Sequence, residues 1–406
     1  MDLVKLHEIC DLKNGFAFKS KDYVDSSNTL SCRMSSIRPG GNFDLEHNKR
    51  FLPDDFVELY SDYLLEEGDI VIAMTDLAGD PKILGVPTIV RTNGKNLLQN
   101  QRVGKLIVKD NSKVHIPFLQ YALNRPINKS YYKKFAGGGL QINVGKKEIL
   151  NNSIPLPPLN TQKKIAAILD EADKLHQLDK QLIEKYDALT QSFFLDMFGD
   201  PVANPKGWEH KPLVKITSKI GSGSTPRGGK ESYREEGISL IRSLNIYDNK
   251  FKYKNLAHIS DEQANKLKNV IVEENDVLFN ITGASICRST IVPNDVLPAR
   301  VNQHVSILRP LINKLNPLFL NHFLISENVK NQLLGVGSGG GAIMQAITKK
   351  QLTDLEVIIP PIELQNQFAE RVQAIEAQKA QAQQSLQKSE ELFNSLLQKA
   401  FKGELI

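Results

Sequence analysis

The stretch "IPLPPLNTQKKIAAIL" at 154–169 returns as "VIIPPIELQNQFAERV" at 357–372. Pro157-Pro158 and Pro360-Pro361 lie 203 residues apart, and Gln162 and Gln365 keep the same offset. An internal repeat this long constrains the fold more than any other feature, because each copy must build the same scaffold. Five further anchors recur in the same order. "LVKL" at 3–6 becomes "LVKI" at 213–216, and "EGDIVIAMT" at 67–75 becomes "ENDVLFNIT" at 274–282. Asn100-Gln101 becomes Asn302-Gln303, and "PFLQYAL" at 117–123 becomes "PLFLNHFL" at 317–324. "GGGLQINVGKK" at 137–147 becomes "GGGAIMQAITKK" at 339–350. Between anchors the copies diverge, as "AGDPKILGVPTIV" does from "GASICRSTIVPND". A duplicated framework with individual loops is how two related modules would address two different targets.

Each copy runs in the same order: short β-like runs such as 69–74 and 276–279 among Gly, Asn and Pro turns, a short helix near 117–124 or 318–326, a glycine-rich loop, and a strand into the prolines. The prolines then poise the chain to enter a helix. From there apolar residues recur in heptads, the mark of a coiled-coil seam. In the first copy Ile165, Ala172, Tyr186 and Phe193 form one row, interrupted by Asp179, and Ile168, Leu175, Leu182 and Leu189 form the other. In the second, Val372, Leu386, Phe393 and Ala400 form one row around Lys379, and Phe368, Ile375, Ala382 and Leu396 the other around Ser389. A helix from 162 to 197 would be roughly 54 Å long. Its simplest partner is its twin, antiparallel, with one module near each end. The expected fold class is therefore α/β (α+β): two similar globular modules separated by two long antiparallel helices, a pseudo-two-fold tandem repeat. The segments are 1–157, the helix 158–200, 201–359 and the helix 360–406. In the join "FGDPVANPKGWEHKPL" (198–213), Trp208 is expected to bury and anchor the second module.

The net charge of +5 over 406 residues, with pI about 8.8, permits an anionic partner without demanding one. If that partner is DNA, base contacts must carry much of the selectivity, or a partner subunit must supply more phosphate contacts. Cys10, Cys32 and Cys287 are odd in number and scattered, which fits a reducing cytoplasm. No histidine pairs at metal-ligand spacing, so no metal site is expected. No apolar run reaches the length of a membrane span, and the N-terminus lacks a signal-peptide pattern.

The run "FFLDMFGDPVANPKGW" (193–208) resembles the central conserved region of specificity (S) subunits of type I restriction-modification enzymes. So do the two proline–glutamine entries into long helices and the opening "LHEICDLKNGFAFKSKDY" (6–23). The likeness covers essentially the whole chain, with Ile362 and Phe368 in the second copy where the first has Leu159 and Ile165. It implies that each module is a target recognition domain reading half of a bipartite, asymmetric site in double-stranded DNA. It implies that the helices fix the half-site spacing and dock two methyltransferase (M) subunits, and that two translocase-nuclease (R) subunits join in a full system. The subunit itself would hold no catalytic centre and no cofactor; S-adenosylmethionine, ATP and Mg would belong to the partners. The helix length agrees, because modules addressing one face of a duplex sit about 34 Å apart.

Base and phosphate contacts require Arg, Lys, Asn, Gln and hydroxyls on loops after framework strands. In the first module the candidates are Asn14, Gly15, Lys19, Arg33, Arg38, Thr75, Asn100, Gln101, Arg102, Lys133, Lys134, Gly138, Gln141 and Lys146. In the second they are Ser222, Ser224, Thr225, Arg227, Arg242, Asn245, Thr282, Asn302, Gln303, His304, Ser338, Gly340, Gln345 and Lys349. The bland reading is that Asn-Gln pairs cap their own loops and repeated lysines form a solvated face.

Two other function classes are to be weighed. "FAGGG" (135–139) matches the F-x-G-x-G motif of S-adenosylmethionine-dependent adenine methyltransferases, and "GVGSGG" (335–340) matches G-x-G-x-x-G. Both fail on context: the dinucleotide motif needs a strand before it, whereas the helix-like "ENVKNQLL" precedes the second string. No Asn/Asp-Pro-Pro-Tyr/Phe or P-loop is present. The remaining alternative is a coiled-coil scaffold with no nucleic-acid role.

Overall fold

The structure, a computed structural model, describes residues 2–135, 139–226, 228–335 and 346–405. The chain forms two compact units, 1–179 with 385–406, and 180–384. The division runs through the middle of both long helices.

The first unit is built on two four-stranded sheets. One is antiparallel, in the order Cys10–Asn14, Val103–Val108, Ile70–Ala73, Pro87–Ile89. The other runs Phe51–Leu52, Thr29–Cys32, Asn96–Gln99, Leu64–Leu65, and its two central strands are parallel. The run "IVIA" at 70–73 is buried throughout because its side chains alternate between two cores. Ile70 and Ile72 pack with Phe118, Leu119, Tyr132 and the start of the first long helix. Val71 and Ala73 pack with Leu30, Cys32 and Leu97 of the second sheet.

The second unit repeats this plan. Its antiparallel sheet orders Thr217–Ser222, Val305–Pro310, Val277–Asn280 and Ser289–Ile291. Its second sheet orders Ala257–Ile259, Ile238–Ile241, Ala299–Val301 and Ile271–Val272, again with a central parallel pair. Val277 and Phe279 face the helical core while Leu278 faces the second sheet. Trp208 is half-buried against the helical core and donates its indole N–H to the Phe198 carbonyl at 2.9 Å.

The long helices span Leu159–Phe198 and Ile362–Lys402, each about 60 Å. Gly199 and Gly403, at φ +77° and +81°, take the left-handed conformation that ends a helix. The repeated glutamine sits at each helix start, fully buried. Gln162 donates to the carbonyls of Lys113 (2.8 Å) and Pro157 (2.7 Å) and accepts the His115 N–H (2.9 Å). Gln365 does the same with Lys314 (3.2 Å), Pro360 (2.8 Å) and Asn316 N–H (2.9 Å). Each side chain ties its helix to the loop before a short module helix, Ile116–Leu123 or Pro317–Ile325.

Within each unit a part of one long helix lies along a part of the other. In the first, Ser389 Oγ donates to Asp179 Oδ2 at 2.8 Å, in a buried contact. In the second, Lys379 forms an ion pair with Asp187, Arg371 stacks over Phe193 at 5.6 Å, and Phe194 meets Phe368 edge-on at 5.6 Å. As the number falls on one helix it rises on the other, which is antiparallel packing. The second helix buries Phe368, Val372 and Ile375 and half-buries Leu386, Phe393 and Leu396.

The first helix departs from its expected seam. Ile165 is buried and Phe193 half-buried, but Ile168, Leu175, Leu182 and Leu189 are 36–44% exposed. The expected row of Ile165, Ala172, Asp179, Tyr186 and Phe193 does turn inward, and the row beside it is instead Gln162, Leu169, His176, Ile183, Thr190 and Met197. The more aliphatic row faces out because the inward one meets specific partners: Gln162 its carbonyls, and Met197 the aromatic core with Phe198 and Phe368. No helix among the described residues is long and apolar enough to cross a membrane.

Candidate nucleic-acid interface

In each unit three segments meet at the carboxyl ends of the central parallel strands, where open α/β sheets place their ligands. In the first unit these are the loop 14–18, the turn after Cys32 and the turn 100–102. Asn100 N–H donates to Cys32 O (3.0 Å), Gln101 N–H to Phe16 O (2.9 Å) and Phe16 N–H to Gln99 O (2.9 Å). A Cβ on Gly15 would lie 2.3 Å from the Asn100 carbonyl, so only glycine permits this crossing. The second unit builds the same junction. Asn302 N–H donates to Ile241 O and Gly223 N–H to Asn302 O, both at 3.1 Å. A Cβ on Gly223 would lie 1.8 Å from Val301 O.

The junctions differ in what lines them. In the first unit Phe16 and Phe18 pack with Phe56 and Tyr60, Phe16 and Tyr60 at 4.4 Å between ring centres. In the second, Ser224 and Thr225 follow the equivalent glycine and line an open cleft of about 860 Å³ with Gln263 and Lys266. One backbone frame thus carries an aromatic cluster in one copy and, in the other, a mixed polar cleft of hydroxyls and both charges, Lys266 paired with Glu262 at 2.8 Å.

Several expected contact residues are committed inside the modules. Asn100 and Asn302 are buried, and each carboxamide oxygen accepts the backbone N–H two residues on, from Arg102 at 3.2 Å and His304 at 3.1 Å. These repeated asparagines build their own turns. Asn245 is fully buried and accepts the Arg242 N–H at 3.1 Å while donating to Lys252 O at 2.9 Å. Thr75 is buried and donates to Asn143 at 2.6 Å. Their side chains cannot reach a duplex without breaking the module.

Others face outward at or near the junctions: Asn14, Lys19 and Gln101 in the first unit, Ser222, Ser224 and Gln303 in the second. Gly15 is half-buried at the crossing, and Arg102 is half-exposed at the turn. Thr225 bonds to Gln303, and Thr282 to His304 Nδ1 at 2.6 Å, so the second junction is internally braced. Arg38 sits 3.8 Å from Asp44. Gln141 is half-buried in a strand paired with Thr75–Leu77. Lys133, Lys134, Lys146 and Lys349 are exposed. Gly138, Arg227, Ser338, Gly340 and Gln345 lie outside the described residues.

Sequence reasoning missed the rings beneath Arg33 and Arg242. The Arg33 guanidinium lies 6.0 Å from the centre of Tyr23, and Arg242 lies 4.9 Å from that of Tyr233. The signal was available, since aligning the copies sets "KDY" at 21–23 against "ESY" at 231–233. The aromatic cluster of the first unit had no such signal, because its residues come from 16–18 and 56–60.

The three thiols are buried, and desolvation pushes Cys10 and Cys32 up to about 12 and Cys287 to about 11. Among the described residues no group of three or more His, Cys, Asp or Glu could hold a metal ion. Helices Pro126–Lys133 and Glu327–Leu334 lead toward the two glycine-rich strings, where a dinucleotide motif requires a strand. Most of both strings lies outside the described residues.

A family model described as "Type I restriction modification DNA specificity domain" matches residues 1–186 and again 205–391. The chain is 25% identical over 436 residues to the type I restriction enzyme EcoBI specificity subunit of Escherichia coli, covering 99% of this chain and 85% of that protein. It is also 25% identical over 304 residues to the putative type I restriction enzyme MjaX specificity subunit of Methanocaldococcus jannaschii. That match covers 70% of this chain and 65% of the relative, just under two thirds of its length. The crystal structure of a type I restriction-modification S subunit from M. genitalium superimposes with TM-score 0.57 at 15% identity, over 98% of this chain and 96% of that one. That likeness speaks for the fold.

Proposed function

The chain belongs to the type I restriction modification DNA specificity domain family, and from that membership we propose that it is the non-catalytic subunit that reads DNA sequence in a type I restriction-modification enzyme. Each unit addresses one half of a bipartite, asymmetric duplex site. The observation that carries this reading is the junction built twice on one backbone frame and lined differently, by aromatic rings in one copy and by Ser224, Thr225, Gln263 and Lys266 in the other. A shared frame supplies a shared mode of docking, and different linings supply different sequence preferences.

The long helices have two tasks in this reading, to space the half-sites and to dock methyltransferase subunits. The exposed aliphatic row of the first helix supports the second task. Ile168 and Leu175 in one unit and Leu182 and Leu189 in the other leave apolar area in water that a partner helix would cover. Restriction subunits would join through that assembly where a full system is present. S-adenosylmethionine, ATP and Mg chemistry is assigned to those partners, and work on chromosomal and incoming DNA places the subunit in the cytoplasm.

The test is a loop exchange. Residues 14–23 and 100–102 are replaced by those of a relative with a different modified sequence, and the chain is expressed with its methyltransferase subunit. Sequencing of methylated sites should show one half-site changed and the other retained. An unchanged modified sequence would overturn the assignment of the junctions, and methyl transfer by the isolated chain would overturn the non-catalytic role.

A further inference from the structure

The two junctions share the exposed Gln101 and Gln303 and differ in most of their other exposed side chains, yet one further arrangement is common to both. Arg33 and Arg242 are each the first residue after the strand at the centre of the second sheet, Thr29–Cys32 and Ile238–Ile241. Each has its backbone N–H held by the side chain three residues on, Ser36 Oγ at 3.3 Å and Asn245 Oδ1 at 3.1 Å. Each guanidinium lies over a tyrosine whose ring is anchored in its module, Tyr23 among the aromatic cluster and Tyr233 against the second core. Both arginines and both tyrosines are half-buried.

Neither guanidinium has a carboxylate partner among the described residues. Arg125, Arg288 and Arg371 also lie over rings without such a partner, but they do not recur at matched positions of the two junctions, and other arginines are paired. Arg309 bonds to Asp276 through Nε at 2.7 Å and pairs with Glu273, Arg91 meets Glu67 at 3.0 Å, and Arg38 faces Asp44. Arg242 donates once, to the Asn255 carbonyl, and its Nε is buried without a partner. A guanidinium stacked on a ring without a carboxylate keeps its charge uncompensated, and the N–H groups it has not committed can meet the oxygens of a phosphate.

We propose that Arg33 and Arg242 are equivalent phosphate anchors, one per unit, each positioned by its tyrosine to take a backbone phosphate of the duplex and not a base. This rests on the DNA-reading role above. The choice of phosphate over base follows from the repetition. Two half-sites of different sequence share only their sugar-phosphate backbone, so an arginine-over-tyrosine device placed at the same position in both modules serves that shared part. The divergent linings serve the bases.

The experiment uses the full chain assembled with its methyltransferase subunits. Binding is measured to a duplex carrying its modified sequence and to an unrelated duplex, from about 50 to about 200 mM salt. Losing one phosphate contact lowers the log–log salt slope by about 0.9, so each of R33A and R242A should weaken the salt dependence over that range by about 3.5-fold. The expected result is this change for each variant, about twice the slope change for the double variant, an unaltered ratio of specific to unrelated affinity, and an unaltered methylated sequence. R33K and R242K, which keep the charge without the planar fork, should keep the slope and lose affinity. Relaxed selectivity at one half-site would make the arginine a base reader and overturn the proposal. So would a salt slope and affinity equal to wild type in the alanine variants. A wild-type assembly that binds no duplex would instead sink the DNA-reading role itself.

Discussion

Replacing Gln162 with Met tests whether the repeated glutamine is a structural clamp. Methionine matches the length of glutamine and carries no amide. The substitution leaves the His115 N–H without an acceptor and the Lys113 and Pro157 carbonyls without donors, all around a side chain that is fully buried. An unsatisfied buried group costs about 1–3 kcal/mol, with carbonyls at the lower end, and the apolar thioether recovers about 1 kcal/mol. The net loss is about 3 kcal/mol, a large fraction of a domain's usual 5–15 kcal/mol. Hydrogen exchange of the intact chain is the assay, because it resolves where the loss falls. Amides of 113–123 and 157–169 should exchange about a hundredfold faster, with residues 305–335 unchanged. Q365M should give the mirror image. Q162E should be worse than Q162M, since a carboxylate can accept from His115 but cannot donate to either carbonyl and buries a charge. Q162M within about 0.5 kcal/mol of wild type, or Q162E more stable than Q162M, would refute the clamp.

Three further outcomes are expected. His322 is buried against Phe368, and desolvation, with a smaller contribution from the Lys379 charge, holds it down at about 4. The unfolded chain takes up its proton near 6.5 and the folded one only near 4, so stability is full above 6.5 and falls by up to about 3 kcal/mol as pH drops through that window. H322F should flatten urea-unfolding midpoints, read by Trp208 fluorescence, between those pH values. Ser389→Ala should cost about 1–3 kcal/mol in thermal or urea melts by stranding the buried Asp179 carboxylate, whereas the double change D179L/S389L should restore or exceed wild-type stability; equal melts for S389A and wild type would remove that pair from the seam. Leu175→Lys and Leu182→Lys should leave melting within about 0.5 kcal/mol of wild type, because both side chains are exposed, but should abolish co-purification with the methyltransferase subunit; retained co-purification would place the docking face elsewhere.

What the sequence alone determined is local or repeated. The duplication, the prolines that release each helix and the breaks after Phe198 and before Trp208 could be read because each rests on nearby residues or on comparison of the two copies. The repeat could have said more. Shifting Val372 by 203 residues lands on Leu169, the row that turns inward in the first helix. Heptad spacing instead pointed to Ile168, Leu175, Leu182 and Leu189, because a narrow apolar stripe defines rows on a helix without saying which row meets a partner. Only tertiary structure decided that, through contacts such as Asp179 with Ser389, 210 residues apart in the chain. The same holds at the junctions. Asn100 and Asn302 look like readers in one dimension and prove to be turn-formers, because the amides they bind are fixed only once the parallel strands are paired. The tyrosines beneath Arg33 and Arg242 lie 10 and 9 residues upstream (33 − 23 and 242 − 233), and folding alone brings ring and guanidinium together.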